Sequence, residues 1–134
     1  MIQYEKNGEI DVSELGAFFQ GWKSPPSGET RAGLLGGSDL IVTARDSGRL
    51  VGFVTAITDG AMHAFISLAE VLEGYQGKGV GSAMMEIAVD HFRGLYDIVL
   101  ITDADKDHFY RKFGFSNIYG MHVRDFTYGE KADK

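Results

Sequence analysis

Apolar positions change their spacing several times along the chain, and each change marks an element. Ile10, Leu15, Phe18, Phe19 and Trp22 are spaced to suit one face of an amphipathic helix, with Asp11 or Ser13 able to cap it. Ser24-Pro25-Pro26-Ser27-Gly28 breaks that pattern as a loop. Residues 29–35 read as a second, short helix closed by Gly36-Gly37. Leu40-Ile41-Val42-Thr43-Ala44 and the run from Leu50 to Ile57 are strand-like, joined by a hairpin turn at Asp46 to Gly48. After a second turn at Asp59-Gly60, another apolar run covers residues 63–72. The first half therefore predicts two helices and then an antiparallel three-stranded meander.

The second half has a different character. A glycine-rich stretch from Tyr75 to Gly81 leads into a helix whose Ala83, Met84, Ile87, Ala88 and His91 keep helical spacing, ended by Arg93-Gly94. Ile98-Val99-Leu100-Ile101 is continuously apolar, as expected of a strand covered on both faces. Strand, glycine loop, helix and strand make a βαβ unit, so its two strands should be parallel. A short helix through residues 109–113 stops at Gly114, residues 121–128 offer a last strand, and residues 129–134 read as a frayed tail. With no repeat or linker, the expectation is one α+β domain over residues 1–134.

Composition narrows the functional classes. The 134 residues are 44% hydrophobic and 24% charged, with nine Phe, which is material for one packed core rather than a disordered chain. Cysteine is absent, so disulfides, thiolate metal sites and a cysteine nucleophile are excluded. A net charge of −6 disfavours general nucleic-acid binding and suits a cationic acceptor such as an amine. No apolar run approaches the roughly 20 residues of a membrane span, and the polar start is unlike a secretory signal. The default expectation is a cytoplasmic protein with no nucleic-acid or membrane partner. Asp103, Asp105 and Asp107 imitate the start of a calcium loop, but His108 and Gly114 stand where glycine and glutamate are needed. His63, His91, His108 and His122 are scattered without metal-ligand spacing, so no metal is expected.

The string Gln76-Gly77-Lys78-Gly79-Val80-Gly81-Ser82 carries the chemistry. Glycines between a strand and a helix let backbone N–H groups turn inward, and the helix adds free N–H groups and the positive end of its dipole. The product is a phosphate-sized anion site. A Walker A loop and a dinucleotide fingerprint both fail on spacing. What the string does match is Gln/Arg-x-x-Gly-x-Gly, through Gln76, Gly79 and Gly81. Here the chain resembles the GNAT superfamily of N-acetyltransferases, in which that loop holds the pyrophosphate of coenzyme A. Phe65 to Leu72 is similar to the family's fourth strand, and Phe109-Tyr110-Arg111-Lys112-Phe113-Gly114-Phe115 to its Phe-Tyr-x-Lys-x-Gly-Phe signature.

The resemblance implies a mixed, mostly antiparallel central sheet with a parallel βαβ unit and flanking helices in three layers. It implies acetyl-CoA as acyl donor, held by the loop 76–82 (Lys78 helping a phosphate or standing as a solvated loop lysine) and bordered by Phe109 and Lys112 of the signature. It implies pantetheine amides bonded to backbone around Val71 and Leu72, where a backbone N–H can polarise the thioester carbonyl. Asp103 departs from the family's usual asparagine at that point, which leaves its role open.

Amide formation needs a neutral amine, a polarised carbonyl and a proton for the departing thiolate. Tyr110 is the candidate general acid, the role that the resemblance gives a tyrosine there; the plainer alternative is packing against cofactor or core. For the base, strand alternation sets Glu70 with Leu68 and Leu72 on one face, a carboxylate in an apolar strand that can point into a cleft. The alternatives are a salt-bridged strand-end Glu70, or Glu73. By the same resemblance the acceptor lies near the first helix and the Pro25-Pro26 loop, with Phe18, Phe19 and Trp22 as pocket wall or plain core. The expected function is acetyl transfer to the amine of a small-molecule or peptide acceptor. A non-catalytic acyl-CoA-binding sensor or regulatory module is the alternative. A homodimer paired through the last strand is the candidate assembly.

Overall fold

In the computed structural model, residues 1–125 and 127 are described. Five strands form one sheet in the order β1-β2-β3-β4-β5. They are β1 (Ile2–Lys6), β2 (Leu40–Asp46), β3 (Arg49–Thr58), β4 (His63–Val71) and β5 (Asp97–Val99). The first three junctions are antiparallel, and β4 and β5 are parallel. The helices are α1 (Gly28–Gly37), α2 (Val80–Phe92) and α3 (Asp107–Arg111), with 3-10 turns at Val12–Ala17, Glu73–Tyr75 and Ala104–Lys106. The expected mixed sheet, its meander and its parallel βαβ unit are all present.

The core is centred on β3, whose residues 50–56 are all buried because helices or turns cover both faces of this central strand. α2 lays Val80, Met84, Met85, Ala88, Val89 and Phe92 on the sheet, one continuous helical face. Gly52 leaves room for this packing: a Cβ there would sit 2.8 Å from Met84 Cε and 3.2 Å from the Glu70 carbonyl oxygen, so the tip of Met84 would have to move.

Four features differ from the sequence expectation. β1 was not expected, although Ile2 and Tyr4 alternate with polar residues and pair against Asp46 and Ala44. The helix expected over residues 10–22 is only the 3-10 turn Val12–Ala17. A capping box starts it: Ser13 N–H donates to Asp11 at 2.9 Å and Asp11 N–H donates to Glu14 at 3.0 Å. It ends at Phe18, whose backbone is extended, and the positive φ of Phe19 that follows is incompatible with a continuing helix; both rings are buried. Arg45 then clamps this turn to β2 through Glu14 (2.7 and 3.0 Å) and the Glu9 carbonyl (2.8 Å).

The third difference is β5, which is three residues long and stands at the edge of the sheet rather than covered on both faces; Ile101 beyond it is 66% exposed. Fourth, residues 121–125 form no strand, although a strand was expected over residues 121–128. Apart from Thr127, the remainder of that stretch lies outside the described residues, as does the tail expected over residues 129–134.

Candidate functional site

β4 pairs with β5 only from His63 to Phe65, so the C-terminal half of β4 parts from its neighbour. Leu72 N–H donates to Val51 and Leu72 C=O accepts from Tyr75 N–H, which commits both backbone groups of Leu72 inside the fold. Strand parity then turns the N–H and C=O of Val71 away from β3, onto the parted edge. The Val71 carbonyl accepts from Gln76 Nε2 at 3.0 Å, leaving the Val71 N–H on that edge. Of the two expected backbone positions, Val71 remains available and Leu72 does not. Gln76 ties the loop to the strand rather than facing an anion.

The loop itself has the conformation that its glycines allow. Gly77 and Gly79 have φ of 75° and 84°, the left-handed region that disfavours any other side chain, and an added Cβ at either would meet nothing within 4 Å. Gly79 caps α2 without a side chain, and the first α-helical bond runs from Ala83 N–H to Gly79 C=O at 3.0 Å. The N–H groups of Val80, Gly81 and Ser82 therefore precede the ladder, at the positive end of a 13-residue helix. Lys112 reaches this end from beyond α3, donating to Ser82 Oγ at 2.8 Å while its ammonium lies 4.5 Å from the Phe109 ring centre. Phe109 also approaches Gly81, whose added Cβ would lie 3.7 Å from Phe109 Cζ and 3.6 Å from Val71 Cγ2. Val71, Gly81, Ser82, Phe109 and Lys112 are thus one constellation. Lys78 is exposed, 5.9 Å from the Tyr75 ring centre, at the loop's outer side. This open cradle, with free N–H groups and one ammonium, fits a pyrophosphate-sized anion.

Tyr110 is half-buried, edge-on to Phe109 at 4.9 Å and to Phe115 at 6.0 Å. Burial pushes its phenol above the ordinary tyrosine value, while a hydrogen bond with Thr102 draws it back. It lies on the wall of a cleft of about 710 Å³ between β5, α3 and residues 113–122. Neither Glu70 nor the glycine loop lines that cleft. Asp103 is exposed at the head of the Ala104–Lys106 turn, and its side chain does not cap that turn.

Glu70 is held from the opposite layer. Phe19 N–H donates to both of its carboxylate oxygens, at 3.1 and 3.2 Å. Burial raises the Glu70 carboxyl above the usual range, opposed by this N–H and by the charge of Arg31. No carboxylate–cation pair within 4 Å forms at Glu70 among the described residues, and Glu73 is exposed. Phe19 has φ of 63°, an unusual conformation for an aromatic residue. Burying its side chain yields about 2–3 kcal/mol. The strained backbone costs about 1–3 kcal/mol. The turned backbone aims the Phe19 N–H at the Glu70 carboxylate. Phe18 and Phe19 are core residues, whereas Trp22 is 46% exposed and is the aromatic left for a pocket wall.

The family model for the acetyltransferase (GNAT) family matches residues 9–115. The chain belongs to the GNAT acetyltransferase family. Acetyltransferases of this family take their acyl group from acetyl-CoA. A candidate acetyltransferase from Deinococcus radiodurans R1 superposes with a TM-score of 0.85 at 34% identity, over 98% of this chain and 92% of that one. A GNAT-family acetyltransferase from Streptococcus pneumoniae TIGR4 superposes with a TM-score of 0.80 at 26% identity, over 94% of this chain and 99% of that one. The histone acetyltransferase TAP1 of Glycine max is 30% identical over 130 residues, which are 85% of this chain and 55% of that protein. The GNAT chain spans about half the length of the curated relatives it matches.

Sequence reasoning missed two residues beside this GNAT site and one contact within it. Arg31 sits on a short helix with little periodicity, and nothing local marks it as a neighbour of Glu70. Thr102, beside Tyr110, looks like an ordinary strand-end residue. The Ser82–Lys112 bond joins two residues that had each been expected near the cofactor, without any sign that they touch. No helix among the described residues is long and apolar enough to cross a membrane.

Proposed function

We propose that the chain transfers an acetyl group from acetyl-CoA to the amine of a small-molecule or peptide acceptor by direct attack. The observation that carries this reading is the parted edge of β4: a free backbone N–H at Val71 lies one residue from Glu70, and Val71 adjoins the glycine cradle through Gly81. The N–H groups of residues 80–82 and the Lys112 ammonium hold the pyrophosphate of the donor. The Val71 N–H takes part in binding the pantetheine arm along β4 and polarises the thioester carbonyl. Glu70, aimed by the Phe19 N–H, accepts the proton of the incoming amine directly or through a water. Its raised carboxyl value makes it a better match for that proton than an ordinary surface glutamate.

Tyr110 returns a proton to the departing thiolate. Burial keeps the phenol fully protonated at neutral pH, so the acid is loaded before the acetyl group moves. A phenol near 10 giving its proton to a thiolate whose parent thiol lies at about 8.5 is an uphill step. Desolvation raises the proton affinities of thiolate and phenolate alike, so the transfer stays mildly uphill.

Calorimetry with acetyl-CoA tests the donor half. Wild type should bind at micromolar strength and Gly79→Glu should lose at least about 100-fold, or ~2.7 kcal/mol, because the new side chain is strained at φ 84° and its charge repels phosphate. A folded wild type that binds no acetyl-CoA ends the acetyltransferase reading. Binding without turnover across a broad amine panel leaves a sensor instead.

A further inference from the structure

Arg31 has no part in the catalytic scheme, yet its environment is unusual. It lies on α1 with its guanidinium carbon 5.2 Å from the centre of the Phe19 ring. Its Nε is buried with no hydrogen-bond partner among the described residues. A buried N–H without an acceptor is unfavourable, and an arginine held only for solubility would extend into water instead. The stem is therefore held against Phe19 for what its charge does there. Phe19 is also the residue whose left-handed backbone turns an N–H onto the Glu70 carboxylate. One aromatic residue thus carries a guanidinium on its ring and a carboxylate on its backbone.

We propose that Arg31 is a positioning residue for the Glu70 corner, its guanidinium laid on the ring of the same Phe19 whose N–H holds the carboxylate. The proposal rests on Glu70 being the base and adds a group that opposes the effect of burial on it. Two elements face Glu70 besides its own strand. From the 18–22 turn comes the Phe19 N–H, and from α1 comes Arg31, the charged group acting on it. Across the sheet, its register partner on β3 is Phe53, apolar and fully buried. Burial favours the protonated acid, and Arg31 and the Phe19 N–H favour the carboxylate. Without Arg31, a larger share of Glu70 is protonated at a given pH and cannot act as base.

The decisive measurement is a carbon-13 NMR titration of glutamate side-chain carboxyls, with the Glu70 signal identified by its loss in Glu70→Gln. Removing the charge in Arg31→Gln should raise the Glu70 midpoint, since the opposite charge favours the carboxylate. Arg31→Lys, which keeps the charge, should recover most of that rise. Phe19→Leu, which removes the aromatic face beneath the guanidinium, should give a smaller rise in the same direction. An Arg31→Gln midpoint equal to wild type, with native near-ultraviolet circular dichroism, overturns the proposal and leaves Arg31 a packing residue. Should Arg31→Gln not fold, Arg31→Met, which keeps an apolar stem on the ring, carries the same expectation. The acidic limb of kcat/KM against pH should move upward with the NMR midpoint. If that limb persists in Glu70→Gln, Glu70 is not the base. The NMR comparison then still decides whether Arg31 sets its ionisation, so the two failures are separable.

Discussion

The glycine cradle and the Glu70 corner lie on either side of one strand end, and they are assembled differently. The cradle is a single stretch, residues 76–82, in which positive φ at Gly77 and Gly79 and the free N–H groups of α2 are properties of the backbone. Among the described residues, Val71, Phe109 and Lys112 join it from elsewhere in the chain. The Glu70 corner has no such core. It joins β4 to a turn 51 residues away and to α1, and its geometry depends on one strained aromatic residue and one guanidinium. A site made of local backbone tolerates change around it, whereas a site made of distant side chains depends on every element that brings them together.

That contrast predicts a graded set of losses. The largest within the chemical step should follow Tyr110→Phe, which removes the proton donor: kcat falls by about 100-fold or more while acetyl-CoA still binds. Rapid-quench turnover alongside calorimetry checks this, and full turnover in a folded variant would remove Tyr110 from the acid role. Next comes Glu70→Gln, with kcat/KM down by about tenfold at neutral pH, since solvent can still deprotonate some of the amine. Its stability should move the other way. A carboxyl raised by burial stabilises the fold fully below the unfolded value, and this is lost as pH rises through the folded value. Ionised Glu70 is therefore a cost at neutral pH, and Glu70→Gln should melt at the same temperature as wild type or higher. A clear drop in melting temperature would mean that the corner is structural rather than functional.

The smallest effect should come from Lys112→Ala on the cradle side. The backbone N–H groups remain, so acetyl-CoA affinity should weaken only about fivefold, ~1 kcal/mol, with a shallower salt dependence because one exposed cation is gone. If Lys112→Ala instead abolishes binding, the cradle is no more local than the Glu70 corner, and the contrast between them fails.

Legibility followed the same division. The meander, α2 and the parallel βαβ unit were readable because periodicity and turn residues are local signals. β1 carries the alternation Ile2, Tyr4 but was passed over beside its charged neighbours. The first helix reads longer in sequence than it is because Phe18 and Phe19 keep helical spacing, whereas the extended backbone at Phe18 and the positive φ at Phe19 end the turn. β5 reads in sequence as a doubly covered strand because an apolar run does not reveal whether its strand lies at a sheet edge.

By itself, the sequence determined the sheet's principal strands, the βαβ crossover, the glycine cradle and the identity of Tyr110 and Glu70 as candidates, since each depends on residue type at fixed short spacing. Only the tertiary structure decided that Leu72 is committed inside the fold while Val71 faces the parted edge, that Lys112 meets Ser82, and that Phe19 and Arg31 converge on Glu70. Those relations join residues tens of positions apart. They are fixed by the packing of both layers on β3 rather than by any preference that the local chain expresses.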